Sequence, residues 1–187
     1  MRVTVPPILA LALLVTAPGR ESAGADGHRL GVLVPAAGEN EPVGFEHTEA
    51  GQFNHLDTAI GTWVSVAGPA LVDDKHAKSG KQCLQLTGGE KTSVVLQLAD
   101  DVDRSGMLTF WAERWTSRRP FSFRIEKSTG DTWQEIFNGD ATVRVGRSFL
   151  NHVKIPLGDA AIERLRFTVT SPPNTGVLID DMRIAPA

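Results

Sequence analysis

The segment FWAERWTSRRP at positions 110–120 sets two indoles and three guanidiniums within nine residues. Indole rings stack beneath the C–H faces of sugars, and planar guanidiniums clamp hydroxyls or the carboxylate of an acidic sugar in bidentate fashion. Trp111, Arg114, Trp115, Arg118 and Arg119 are therefore the candidate ligand-binding residues. For each tryptophan the alternative is core packing; for the arginines it is a solvated turn.

Other chemistries find less. Glu113, Glu126 and Glu135 are the carboxylates that a glycosidase pair would draw on, and Glu126 and Glu135 flank a turn that could bring them together. Carboxylates on an exposed sheet face are ordinarily solvated charge. His47, His55, His76 and His152 lack metal-ligand spacing, so zinc is not expected. Asp73-Asp74 is an alternative source of metal ligands, with an exposed turn as its plainer role. Cys83, the only cysteine, reads as a small buried hydrophobe beside Leu84 and Leu86. A thiol nucleophile needs an adjacent base, which the local sequence does not supply. No phosphate-cradling glycine loop is present. The formal net charge of −3 gives no basic field for nucleic acid.

These side chains must be held by strands. Leu108, Phe110 and Ala112 would share one face and Met107, Trp111 and Trp115 the other, as in a strand covered on both sides. Phe121, Phe123 and Ile125 alternate with Ser122, Arg124 and Glu126, as in a half-buried strand. Further strands are expected at 63–66, 81–87, 92–98, 132–137, 141–145, 152–157, 163–170 and 176–184, and one helical turn at 159–164. Ten short strands with no helices to cross between parallel neighbours predict an all-β, two-sheet antiparallel jelly-roll sandwich. At 187 residues, with 41% hydrophobic and 22% charged residues, the chain suits one globular domain.

The N-terminus reads as a signal peptide over 1–25. Arg2 precedes an apolar run at 8–15, too short to span a bilayer, and Ala23-Gly24-Ala25 offers a cleavage site. Residues 26–42 form a leader or linker, and residues 43–187 the jelly-roll domain. A secreted or periplasmic, monomeric protein follows, with no membrane association after cleavage.

Three pieces resemble the galactose-binding-like jelly rolls that include many carbohydrate-binding modules: Gly44-Phe45-Glu46, Lys78-Ser79-Gly80-Lys81-Gln82-Cys83-Leu84, and Ile179-Asp180-Asp181-Met182-Arg183-Ile184. The segments at 108–115 and 176–181, with Pro120-Phe121, are similar to the N-terminal module of planctomycete-type exo-α-sialidases. The first resemblance implies a structural calcium held by Glu46, by a carbonyl near Ser79 or Lys81, and by Asp180. Two carboxylates and backbone oxygens suit that ion. The alternative is that Asp180 accepts backbone N–H bonds or pairs with an arginine. The second resemblance implies a catalytic propeller after Ala187, so the partner is a glycan or a neighbouring catalytic domain. A sialidase of that kind uses a tyrosine nucleophile, and this sequence has no tyrosine. Hydrolysis by the chain alone is not expected; an exo-α-sialidase label would belong to the longer enzyme. Gly130-Asp131-Thr132-Trp133 matches part of the propeller repeat once and is read as a hairpin turn.

Overall fold

A computed structural model describes residues 42, 44–102, 104–158 and 162–186. The expected signal peptide, residues 26–41 of the expected linker, the start of the domain at Val43 and residues 159–161 of the expected helical turn lie outside them. The described residues form ten strands: β1 (Gly51–Gln52), β2 (His55–Thr58), β3 (Gly61–Ala67), β4 (Ala70–Asp73), β5 (Cys83–Leu98), β6 (Met107–Arg114), β7 (Ser122–Thr129), β8 (Thr132–Asn138), β9 (Asn151–Pro156) and β10 (Arg164–Ala185). Every strand pairing is antiparallel. None of the described residues is helical, so no helix among them is long and apolar enough to cross a membrane.

Two long strands create both layers of the sandwich. β5 and β10 pair along their length, and each serves one layer with each half. The first half of β5 and the second half of β10 sit within the order β1-β4-β5-β10-β6-β9. Their other halves sit within β2-β3-β5-β10-β7-β8. The all-β antiparallel jelly-roll sandwich expected from strand rhythm is thus observed.

Alternation fills the interior. Leu84, Leu86, Phe110, Val177 and Ile179 come from the first layer, and Val94, Leu96, Phe123, Phe167 and Val169 from the second; all are fully buried. Phe110 meets Phe167 edge-on with ring centroids 6.4 Å apart, which joins the layers. Trp63 lies 5.3 Å from Phe167 and 6.1 Å from Phe45. Each such side chain stabilises the fold by about 1.5–3 kcal/mol through burial.

The strand boundaries need three corrections. Segments 81–87 and 92–98 belong to one continuous strand, β5, and segments 163–170 and 176–184 to one strand, β10. Gly88-Gly89 and Pro172-Pro173 read as stops in sequence. Here they mark a bend, where the β5–β10 register skips from Gly89↔Ser171 to Thr87↔Gly176. At that skip proline need not donate to the ladder. Gly176 has φ +146°, and a Cβ there would lie 2.0 Å from the Leu86 carbonyl oxygen, so the crossing admits only glycine. The expected strand at 141–145 is instead a turn that makes one isolated bridge, Val145 to Arg114. β1, β2 and β4 were not anticipated: they are two to four residues long, too short for alternation to register.

Candidate functional site

Along β6 the inward residues Leu108, Phe110 and Ala112 are buried in the main core, as alternation requires. The outward residues Trp111 and Glu113, and Trp115 just past the strand end, face a second, smaller structure. Trp111 packs against Cys83, Leu178 and Phe149, an apolar cluster on the outer side of the first layer. Phe149 arrives from the segment preceding β9 and takes φ +52°. Its N–H donates to Glu113 Oε2 at 2.7 Å, which pins that segment across the sheet. Glu113 is only 5% exposed, and among the described residues no arginine or lysine pairs with it.

Trp111 is half-buried and occupied. Its ring stacks on His152, its partner on β9, at 4.6 Å and 13°, and Lys78 Nζ stands 3.9 Å from its centroid. Burial, then Lys154, Arg183 and Lys78, hold the His152 imidazole below its ordinary pKa, which favours a neutral ring in the stack.

Trp115 is half-buried as well, but among the described residues no ring stacks on it and no cation covers it. It borders a groove of about 600 Å³ lined by His76, Glu113, Trp115, Val145, Gly146 and Arg147. His76 meets Trp115 edge-on, centroids 5.9 Å apart at 66°. Asp73 Oδ2 lies 2.7 Å from His76 Nδ1 and also accepts the His76 N–H at 2.8 Å, which fixes the imidazole. Val145 and Leu150 are exposed, and Leu150 lies close to Gly146, giving the groove an apolar lip.

The structure separates the arginines of 114–119 from this groove. Arg114 alternates to the other side of the strand, where its guanidinium covers the Phe121 ring at 4.2 Å and donates to the Arg118 carbonyl. Burial and then the neighbouring Arg119 hold its pKa below the usual arginine value. Arg118 donates to the Pro173 carbonyl at 3.2 Å, tying the β6–β7 loop to the bend of β10. Arg119, before a cis Pro120, is exposed. Sequence reasoning missed His76 and Arg147, which stand about forty and thirty residues from Trp115 and carry no local signal.

Glu46 and Asp180, expected near one another, reach the same loop from opposite chain ends. Asp180 Oδ2 accepts the N–H groups of Lys78 (2.6 Å) and Ser79 (3.2 Å); Glu46 Oε1 accepts those of Lys81 (2.8 Å) and Gln82 (2.9 Å). Ser79 Oγ donates to Asp181 at 2.5 Å. Gly80, at φ +62°, lets the loop approach, since a Cβ there would sit 2.3 Å from Glu46 Oε1. Strict strand alternation would put Asp180 on one face with Met182 and Ile184, but a bulge at Asp181 (φ +49°) intervenes. Asp180 is buried on the outer side with Leu178, beneath the 78–82 loop, while Met182 enters the main core. Burial pushes the Asp180 carboxyl up to about 6 against the opposing pull of its three backbone N–H bonds. Among the described residues no three of His, Cys, Asp and Glu cluster as metal ligands, so a cation here would need backbone oxygens as well.

The remaining chemistry candidates are structurally committed. Glu126 and Glu135 face each other on β7 and β8. Glu126 accepts from Arg166 Nε at 2.6 Å and Nη2 at 2.7 Å, and Glu135 lies 3.3 Å from Arg124, which also clasps Asp140. Arg164 and Arg166 flank the Trp133 ring at 5.3 and 4.3 Å. Gly130-Asp131 is the two-residue turn of that hairpin, with Gly130 at φ +65°. Cys83 is fully buried; burial, then Asp73, Asp180 and Glu113, raise its thiol pKa and keep it protonated.

No family model and no curated protein matches the chain. Solved structures are similar to it in part. The CBM22-1 xylan-binding domain of Xyn10C from Paenibacillus barcinonensis is 20% identical, with 74% of this chain and 94% of that one covered and a TM-score of 0.45. A family 61 carbohydrate-binding module solved with β-1,4-galactotriose is 13% identical over 67% and 87%, TM-score 0.46. A family 16 carbohydrate-binding module is 13% identical over 66% and 89%, TM-score 0.47.

Proposed function

We propose that the domain is a carbohydrate-binding module of an exported protein, with Trp115 as the sugar platform. The observation that carries this reading is the Trp115 groove. It holds a partly open indole braced edge-on by a fixed imidazole, a buried carboxylate, an exposed guanidinium and an apolar lip. An aromatic face with a few oriented polar groups in a concave site suits a pyranose, which is apolar on its ring faces and polar at its rim. In this reading Arg114 and Arg118 hold the β6–β7 loop through the Arg118 and Pro173 carbonyls, Trp111 packs against Phe149 of the covering segment, and Arg119 is open to a ligand.

The test is retention of the protein on polysaccharide affinity gels and a glycan array. Trp115→Ala should abolish retention with an unchanged melting temperature; retention equal to the parent protein would overturn the reading. Absence of retention on every glycan would return the groove to a docking surface for a neighbouring domain.

Two further parts belong to the proposal. A structural calcium held by Glu46, Asp180 and the backbone at Ser79 and Lys81 would supply the countercharge that burial withholds from Asp180. A chelator should then lower the melting temperature, and an unchanged melt removes the ion. The likeness of 108–115 and 176–181 to sialidase N-terminal modules suggests a catalytic partner. A tyrosine-containing propeller encoded in frame would establish it, and a genomic locus without one would dismiss it.

A further inference from the structure

Among the described residues Glu113 is the buried charged group of the groove that no cationic side chain compensates. It is 5% exposed, and it floors the groove beside Trp115. Its Oε2 accepts a single N–H, from Phe149 at 2.7 Å, and no cationic side chain among the described residues pairs with it. A carboxylate offers about four acceptor positions, so most of its capacity is unspent. Gly146 keeps that oxygen reachable, because a Cβ there would lie 3.4 Å from Glu113 Oε2 and 3.2 Å from Leu150. The groove's other charged groups act more weakly. Arg147 is exposed and screened by water, and His76 is bound to Asp73, whose carboxylate offsets any positive charge on the ring.

We infer that Glu113 selects uncharged sugars, accepting their hydroxyl protons and repelling uronic and sialic acids. This rests on the reading of the Trp115 groove as a glycan site. Hydroxyls are the donors that satisfy a buried carboxylate, and each bond to a charged acceptor is worth more than a neutral one. An anionic sugar would bring a second carboxylate to the same low-dielectric floor, where like charges repel far more than in bulk water.

The experiment runs the 187-residue protein on affinity gels holding xylan, galactan or β-glucan, and on gels holding polygalacturonate or a sialylated glycoprotein. Expected is Trp115-dependent retention on an uncharged gel and none on the anionic gels. Glu113→Gln, whose amide oxygen can still accept the Phe149 N–H, should weaken that retention roughly ten- to a hundredfold. The gels are compared with the unaltered protein, and Trp115→Ala, shown to be folded by its melting temperature, assigns the retention to the groove. Trp115-dependent retention on an anionic gel overturns the selectivity while keeping the site. Undiminished retention of a folded Glu113→Gln removes Glu113 from it. No Trp115-dependent retention on any gel overturns both proposals together.

Discussion

The carboxylates divide by what surrounds them. Glu126 is bound by two guanidinium nitrogens of Arg166, and that hydrogen bonding, outweighing partial burial, holds its pKa below the usual glutamate value. The sign of its pH dependence follows. A lowered folded-state pKa stabilises the protein above the unfolded glutamate pKa, and the contribution disappears as pH falls through the folded value. Glu126→Gln should therefore reduce stability by about 1 kcal/mol or less at neutral pH, since the pair is partly exposed. Its loss of stability between neutral and acid pH should be shallower than the parent's. Urea unfolding at stepped pH measures both, and parallel curves would show that the pair contributes nothing. At this scale the sequence was informative about type and silent about partner. It marked Trp115 and Glu113 as capable of chemistry. It could not show that Arg114, next to both, points to Phe121 instead.

At the scale of elements the bend shared by β5 and β10 matters most. Both strands change layers there, and Gly176 makes the crossing by pressing its Cα against the Leu86 carbonyl. Gly176→Ala should cost about 2 kcal/mol or more, because it adds backbone strain at positive φ to a direct clash. Chemical denaturation reads this directly, and a loss under about 0.5 kcal/mol, typical of a neutral surface change, would show that the crossing is not tight. The bend also explains why strand boundaries were the weakest part of the sequence reading. Gly88-Gly89 and Pro172-Pro173 carry the composition of turns, and composition cannot distinguish a chain that reverses from one that bends and continues.

For the molecule as a whole, two strands common to both layers predict cooperativity. Neither layer can open without unpairing β5 from β10. Phe110→Ala in one layer and Phe167→Ala in the other should each cost about 3–5 kcal/mol. Both variants should still unfold in one transition, with coincident fluorescence and circular dichroism midpoints. Separate midpoints for either variant would mean that the layers are independent units. The chain ends reinforce the arrangement, since Glu46 and Asp180 hold opposite ends of the 78–82 loop.

Alternation of apolar residues is local information, written every second position, and it alone determined an all-β sandwich, the core face of β6, and the hairpin of β7 and β8. The resemblance of the Gly-Phe-Glu and Ile-Asp-Asp segments to galactose-binding-like jelly rolls implied that Glu46 and Asp180 lie near the 79–81 segment. Only the folded chain decided which indole stays open and which is stacked, and that His76, Glu113 and Arg147 border the same groove. Those three come from separate segments, and their approach depends on long-range pairings and on a covering segment tied to β6 by the Phe149 N–H to Glu113 and by the Arg114 N–H to the Arg144 carbonyl. Contacts of that kind leave no periodic trace, because each depends on the position of a backbone set elsewhere in the chain.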